Sequence, residues 1–167
     1  MANGLVFITS TSFTTQASVS IDNCFSAAYT HYIVKRNLLG TSAGSGLDIR
    51  LRVSSTDASG ADYRNQFVTA SSTSVSGLRT TGATSWGSAF GDYEATSIGY
   101  SELWISNPFE TVRTTAWTDY SQAATGSIAL VARLYAHDLT TSYTGFTVIP
   151  GAGTITGSIS VWGLVKA

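Results

Sequence analysis

The side chains that most often bind metals or carry out catalysis are few and scattered in this sequence. There are two histidines, His31 and His137, and one cysteine, Cys24. Zinc needs three or four such ligands converging on one point, and this spacing does not supply them. The acidic residues on either side of Tyr93 do not match the twelve-residue calcium loop. We therefore expect no metal site and no cofactor.

Hydroxyl side chains are abundant, but no catalytic arrangement surrounds them. The sequence has no strand–turn–helix context for a Gly-x-Ser-x-Gly elbow and no base placed beside a candidate nucleophile. Glu94, Glu102, Glu110 and Asp119 do not form a recognisable pair for glycoside hydrolysis. No glycine-rich phosphate loop precedes a helix. The sequence predicts a protein that is not an enzyme.

Composition and charge exclude two further classes of partner. The 167-residue chain has 9 basic and 10 acidic residues and a net charge of -1. Its densest basic run is Lys35-Arg36, whereas nucleic-acid binding needs clustered cations. No stretch approaches the roughly 20 apolar residues of a membrane span, and the first residues do not resemble a secretory signal. Only 11 % of residues are charged, so we expect a hydroxyl-rich surface suited to contact with another protein.

Hydrophobic residues recur mainly with a period of two, which predicts β-strands. In residues 47–53, apolar and charged side chains alternate, which gives the strand one apolar and one charged face. The other predicted strands are 5–9, 17–21, 32–38, 65–69, 97–105, 127–135, 144–149 and 158–164. About eight or nine short strands predict an all-β, antiparallel β-sandwich of the jelly-roll type.

The chain is expected to form a single sandwich domain over residues 1–167. Residues 1–20 either belong to the sandwich or form an extended N-terminal arm. The Ser/Thr/Gly-rich segment 69–93 also leaves two alternatives open. It is either a long functional loop or one or two weak strands hidden by their polar composition.

Three tryptophans are candidate surface contacts: Trp86, Trp117 and Trp162. If Ile159 and Val161 face the core, Trp162 between them faces away from it. Trp86 and Trp117 lie in polar surroundings. Exposed tryptophans anchor protein interfaces or stack on sugar rings, whereas buried ones fill a core.

Two stretches of the chain resemble a known group of proteins. The first contains Phe-Ser-x-x-Tyr-x-x-Tyr from Phe25 to Tyr32, followed by the strand Leu47-Asp-Ile-Arg-Leu-Arg. The second is the strand-plus-glycine ending that begins at Gly153 and includes Trp162. This pattern resembles a diffuse group of small tailed-bacteriophage virion proteins. The resemblance implies a jelly-roll-like domain with a structural or attachment role, and it supplies no functional residues.

Two positions on such a particle are compatible with the sequence. In the first, the protein is a capsid decoration (cement) protein on the outer capsid surface, where it bridges subunits of the major capsid protein as a homotrimer. In the second, it is a tail or fibre-tip module that recognises host-surface glycans through Trp86, Trp117 and segment 69–93. A non-viral sugar-binding sandwich is a third alternative.

Overall fold

The computed structural model describes residues 4–41, 45–93, 99–124 and 127–165. No membrane-spanning helix is present in these ranges. They form thirteen β-strands: β1 (Leu5–Gln16), β2 (Val19–Ile21), β3 (Tyr29–Gly40), β4 (Ser45–Val53), β5 (Thr56–Asp57), β6 (Tyr63–Ser71), β7 (Ser74–Ala83), β8 (Asp92–Tyr93), β9 (Gly99–Ser106), β10 (Thr114–Ala124), β11 (Ser127–His137), β12 (Gly145–Pro150) and β13 (Ile155–Val165).

The strands form two antiparallel sheets with a jelly-roll order. The larger sheet has the order β1-β13-β3-β9-β10-β11-β6-β7, and the second has the order β2-β12-β4-β5, with β8 also paired to β4. Eight of the strands pair in a nested order, in which β1 pairs with β13, β2 with β12, β3 with β9 and β4 with β5. In each pair, the earlier strands of the chain combine with the later ones, from the outermost pair to the innermost. This nested pairing is that of a jelly roll, so the predicted fold class is confirmed.

Two hairpins are inserted into this jelly roll. The β10–β11 hairpin pairs with β9, and the β6–β7 hairpin pairs with β11. Both hairpins therefore widen the larger sheet on one side, from β9 outward. The inner face of this extension is covered partly by the chain between β7 and β8, whose Trp86 and Ala89 backbones hydrogen-bond to Ile49 and Leu47 of β4.

The core lies between the two sheets and follows the period-two pattern of the sequence. Leu47, Ile49 and Leu51 are fully buried on the inner face of β4. Tyr32 of β3 is also fully buried, and its ring packs edge-on to that of Tyr29 with the centroids 5.9 Å apart. Tyr32 and the three β4 residues are therefore part of the core, and Tyr29 packs against it.

The structure also decides the questions that the sequence left open. Because Leu5–Gln16 pairs with β13, this segment belongs to the sheet. Segment 69–93 contains the end of β6, all of β7 and the short β8, so the alternative of weak strands is correct. The strand β10 was not predicted, because its buried positions are Thr114, Ala116 and Thr118, which do not produce an apolar alternation.

Candidate functional site

The face of the larger sheet that points away from the second sheet carries most of the exposed apolar side chains, and we call it the outer face. Ile159 and Val161 are buried against the second sheet, so Trp162 between them lies on the outer face. The strand registers then assign each of the remaining paired residues of this sheet to the outer or the inner face. Among the described residues, eight of the fourteen exposed large apolar side chains lie on the outer face: Leu5, Phe7, Val68, Val75, Tyr100, Trp117, Leu130 and Leu134.

A continuous line of apolar side chains crosses six adjacent strands of this face. We call it the apolar row; its members are Phe7, Trp162, Ile33, Trp104, Trp117 and Leu134. Each is the direct cross-strand partner of the next, from β1 through β13, β3, β9 and β10 to β11. At about 4.8 Å between strands, the row is about 24 Å long.

Ring contacts hold the apolar row together. The Trp104 and Trp117 rings are stacked, with centroids 5.5 Å apart and planes 13° apart. Phe7 meets Trp162 edge-on at 5.2 Å. Ile33, between the two pairs, is only 5 % exposed, whereas Trp117 is 43 % exposed and Leu134 is 63 % exposed. The middle of the row is therefore self-covered. Phe7 leaves the β1 end 52 % exposed, and the β10–β11 end stays open as well.

Next to this open end lies a shallow depression of about 350 Å³. Trp117, Leu134 and Val68 contribute to its lining, together with Asp119 and Gln66. Most of these groups are apolar and belong to three neighbouring strands. A depression of this kind next to an exposed tryptophan suits the insertion of an apolar side chain from another molecule.

Two charged groups on the outer face beside the middle of the row are paired with each other. Lys35 and Glu102, two residues along β3 and β9 from Ile33 and Trp104, form an ion pair of 2.9 Å. The Tyr100 hydroxyl donates a 2.6 Å hydrogen bond to the same carboxylate. The hydrogen bond from Tyr100 and the Lys35 ammonium lower the pKa of Glu102. This part of the face therefore presents little net charge to a partner.

The outer face also contains one contact between a hydroxyl and an imidazole. His31 Nδ1 lies 3.0 Å from Ser106 Oγ on the neighbouring strand. In the described ranges no carboxylate hydrogen-bonds to the His31 ring, and such a group normally orients the base in nucleophilic catalysis. The same ranges contain no group of three His, Cys, Asp or Glu side chains able to hold a metal ion.

Two of the three predicted contact residues lie together on the outer face, and one does not. Trp117 and Trp162 are both members of the apolar row. Trp86, expected at the surface, is fully buried, and this expectation is corrected. Its ring packs near Tyr63 and Tyr135, and its Nε1 donates a 3.0 Å hydrogen bond to the Ala136 carbonyl. Its polar sequence neighbours do not expose it, because its segment folds over the core along the edge of β4.

The reasoning from sequence missed four members of the row: Phe7, Ile33, Trp104 and Leu134. A signal was present for Trp104, because it lies between Leu103 and Ile105 just as Trp162 lies between two core residues. The same alternation places Trp104 on the outer face. Nothing local to Phe7 or Leu134 reveals that they join the tryptophans, since cross-strand neighbours are distant in sequence.

Neither a protein-family model nor a curated protein sequence matches this chain. What the protein does must therefore be inferred from its fold and from its outer face.

Proposed function

We propose that the protein is a non-enzymatic structural protein of a bacteriophage virion. More specifically, we propose a decoration (cement) protein that binds the major capsid protein on the outside of the shell. The apolar row is the observation that carries this proposal. Jelly rolls occur in viral capsid proteins, and the sequence resembles small virion proteins, which together favour this setting.

The outer face has the character of a protein-docking surface. Soluble monomers rarely expose a contiguous apolar patch of several hundred Å² unless it binds something. Tryptophan is also enriched among the residues that dominate interface energies. Trp117, exposed and next to the depression lined by Leu134 and Val68, is the strongest candidate for such an anchor.

The size of the face matches what a stable interface needs. Eight strands at about 4.8 Å span about 34 Å, and nine residues at about 3.3 Å span about 30 Å. The resulting area of about 1,000 Å² exceeds the roughly 800 Å² that each partner contributes to a standard interface. The outer face therefore has room for one interface of standard size.

Stabilisation of the shell follows from mass action. A protein that binds the assembled lattice but not the dispersed subunits shifts the equilibrium toward the lattice. At a free concentration of about 100 times Kd, this contributes about 2.7 kcal/mol per site. No chemical step is required.

The proposal predicts that Trp117→Ala weakens binding to assembled shells about 30-fold, because an anchor residue contributes about 2 kcal/mol or more. Co-sedimentation of the purified protein with shells that lack it measures this affinity. The matched control is Val53→Ala, since Val53 is 42 % exposed but lies on β4 in the second sheet. Equal affinity for shells of the wild type and Trp117→Ala would reject the outer face as the docking surface.

Copy number tests the position on the particle separately. A decoration protein is present in hundreds of copies, as expected from the size of a shell lattice. About a dozen copies per particle would instead place the protein on the tail.

One observation favours the tail alternative, in which the protein recognises host-surface glycans. Trp117 has Asp119 and Gln66 close to it around the depression. An aromatic ring beside a carboxylate and an amide can stack on a sugar and hydrogen-bond its hydroxyls. Under this alternative, binding on a glycan array is lost in both Trp117→Ala and Asp119→Asn. Under the decoration proposal, the wild-type protein itself does not bind the array.

A further inference from the structure

The free edges of the two sheets differ in how they are protected. Natural proteins keep edge strands short, charge them, insert proline or cover them, because an open edge pairs with other chains. The second sheet ends in strands of two or three residues, β2, β5 and β8. The β7 edge carries Arg79. In contrast, β1 has 12 residues, and residues 4–21 contain no charge and no proline.

The backbone groups on the open side of β1 can be assigned. The Val165 N–H donates to the Gly4 carbonyl, so residues 165, 163, 161 and 159 of β13 direct their backbone groups toward β1, since directions alternate along a strand. Ser160 and Ser158 then bond on the other side. Their cross-strand partners on β1 are Ser10 and Ser12. The N–H and C=O groups of Ser10 and Ser12 therefore point to the open edge.

We propose that β1 pairs antiparallel with β1 of a second copy of this chain, about a twofold axis at Thr11, and so joins two larger sheets into one continuous sheet. The irregularities in the β1–β13 register fall between Phe7 and Thr9 and between Phe13 and Gln16. They leave a regular run from Thr9 to Phe13, and Thr11 is its centre.

This register places compatible side chains opposite one another. Ser10 faces Ser12 of the second copy as a hydrogen-bonded pair, and Thr11 faces its own equivalent as a non-hydrogen-bonded pair. On the inner side, Phe13 faces Thr9 of the second copy, which is a favourable aromatic and β-branched combination. No like charges meet, because the strand carries none.

The open edge of β1 adjoins a groove at one end of the proposed pairing. This groove, of about 610 Å³, lies between the end of β1 and β2, and its lining includes Ser12, Phe13 and Val19. Among the described strands, β1 has β13 as its only sheet neighbour. A second copy would therefore fill an unoccupied position in the sheet.

A twofold pair would present two outer faces on the same side of one sheet, because directly opposite residues share a face. If the proposed function holds, the dimer engages the shell at two linked sites and gains avidity without any new contact. The homotrimer of the decoration hypothesis needs a threefold arrangement, which this pairing does not produce. The mass of the free protein distinguishes the two, and it does so without any shell.

The first test removes the open-edge donors. In Ser10→Pro/Ser12→Pro, both lost N–H groups point away from β13, so the fold keeps its internal ladder. Sedimentation equilibrium should give a dimer for the wild type and a monomer for this variant, with unchanged near-ultraviolet circular dichroism. The control Ser10→Thr/Ser12→Thr keeps both donors and should remain a dimer. A monomeric or trimeric wild type, or a dimeric proline variant, overturns the proposal.

The second test checks the register. Cα atoms of a non-hydrogen-bonded antiparallel pair lie about 4.5 Å apart, within reach of a disulfide. Thr11→Cys should therefore form an interchain disulfide under mild oxidation. Ser12→Cys should not, because its equivalent in the second copy lies diagonally at about 7–8 Å. The native Cys24 is buried and does not interfere. Equal crosslinking at both positions, or none at Thr11→Cys, contradicts the twofold axis.

Discussion

The outward faces of the two sheets differ in whether their side chains find partners within the chain. On the second sheet, Arg52 is only 8 % exposed. Its guanidinium donates to Asp22 at 2.8 Å, to Thr147 at 2.7 Å and to Asp57. These partners come from three different parts of the chain, so the charged group at this end of the face is satisfied internally.

The rest of the charged face of β4 is also satisfied by the chain itself. Asp48 accepts hydrogen bonds from the Ser85 hydroxyl at 2.7 Å and from the Ser88 N–H at 3.0 Å. Arg50 donates a 3.0 Å hydrogen bond to the Thr84 carbonyl. The segment after β7 therefore folds against this strand and pairs with its polar side chains.

On the outer face of the larger sheet, no described segment covers the two exposed ends of the apolar row. Trp117 and Leu134 contact their cross-strand neighbours but remain 43 % and 63 % exposed. The comparison indicates that charge on a surface need not mark a binding site, since it can be neutralised within the chain. Uncovered apolar area is the better guide here, because water gives it no compensating interaction.

The largest expected difference in the free energy of unfolding is between variants of the buried tryptophan, Trp86, and the exposed tryptophan, Trp117. Trp86→Ala should lower the free energy of unfolding by about 4 kcal/mol, since it leaves a cavity in the core. Trp117→Ala should lower it by less than about 1 kcal/mol and act mainly on binding. Urea unfolding followed by circular dichroism measures both. Similar losses for the two variants would show that the row is structural and that the contrast between the regions is wrong.

A smaller effect is expected within the charged face itself. Arg52→Met removes a guanidinium with three side-chain partners and should cost about 3 kcal/mol, near the lower end for a buried ion pair because Asp22 and Asp57 are partly exposed. The control Arg50→Met removes a more exposed charge on the same strand and should cost less than about 0.5 kcal/mol. Equal urea midpoints for the two variants would contradict the view that the hydrogen bonds of Arg52 stabilise this face.

The smallest expected effect on stability is a pH dependence at His137, which lies on neither of the two outward faces. His137 is buried at the end of β11, with its Nδ1 3.1 Å from the Tyr143 hydroxyl. Burial lowers its pKa below the ordinary 6.5. As the pH falls below 6.5, the unfolded chain therefore binds a proton before the folded one does, and stability declines.

Urea midpoints measured above and below pH 6.5 test this expectation. His137→Gln should show a weaker decline in acid than the wild type. An unchanged acid dependence in His137→Gln would show that other groups account for the loss of stability.

Local alternation was enough to predict several features of the protein. It predicted the all-β class, the strand 47–53 with its buried Leu47, Ile49 and Leu51, and the outward direction of Trp162. These features follow from the sequence because successive side chains of a strand point to opposite faces. That rule needs no knowledge of which strands are neighbours.

Only the tertiary structure decided which residues meet. Phe7 joins Trp162, and Ile33 joins Trp104, through pairings between strands far apart along the chain. Strand register is a long-range property, set by the packing of the whole sheet. For the same reason, the polar sequence neighbours of Trp86 did not indicate that it is buried. The apolar row likewise exists only in the folded sheet, where six strands lie side by side.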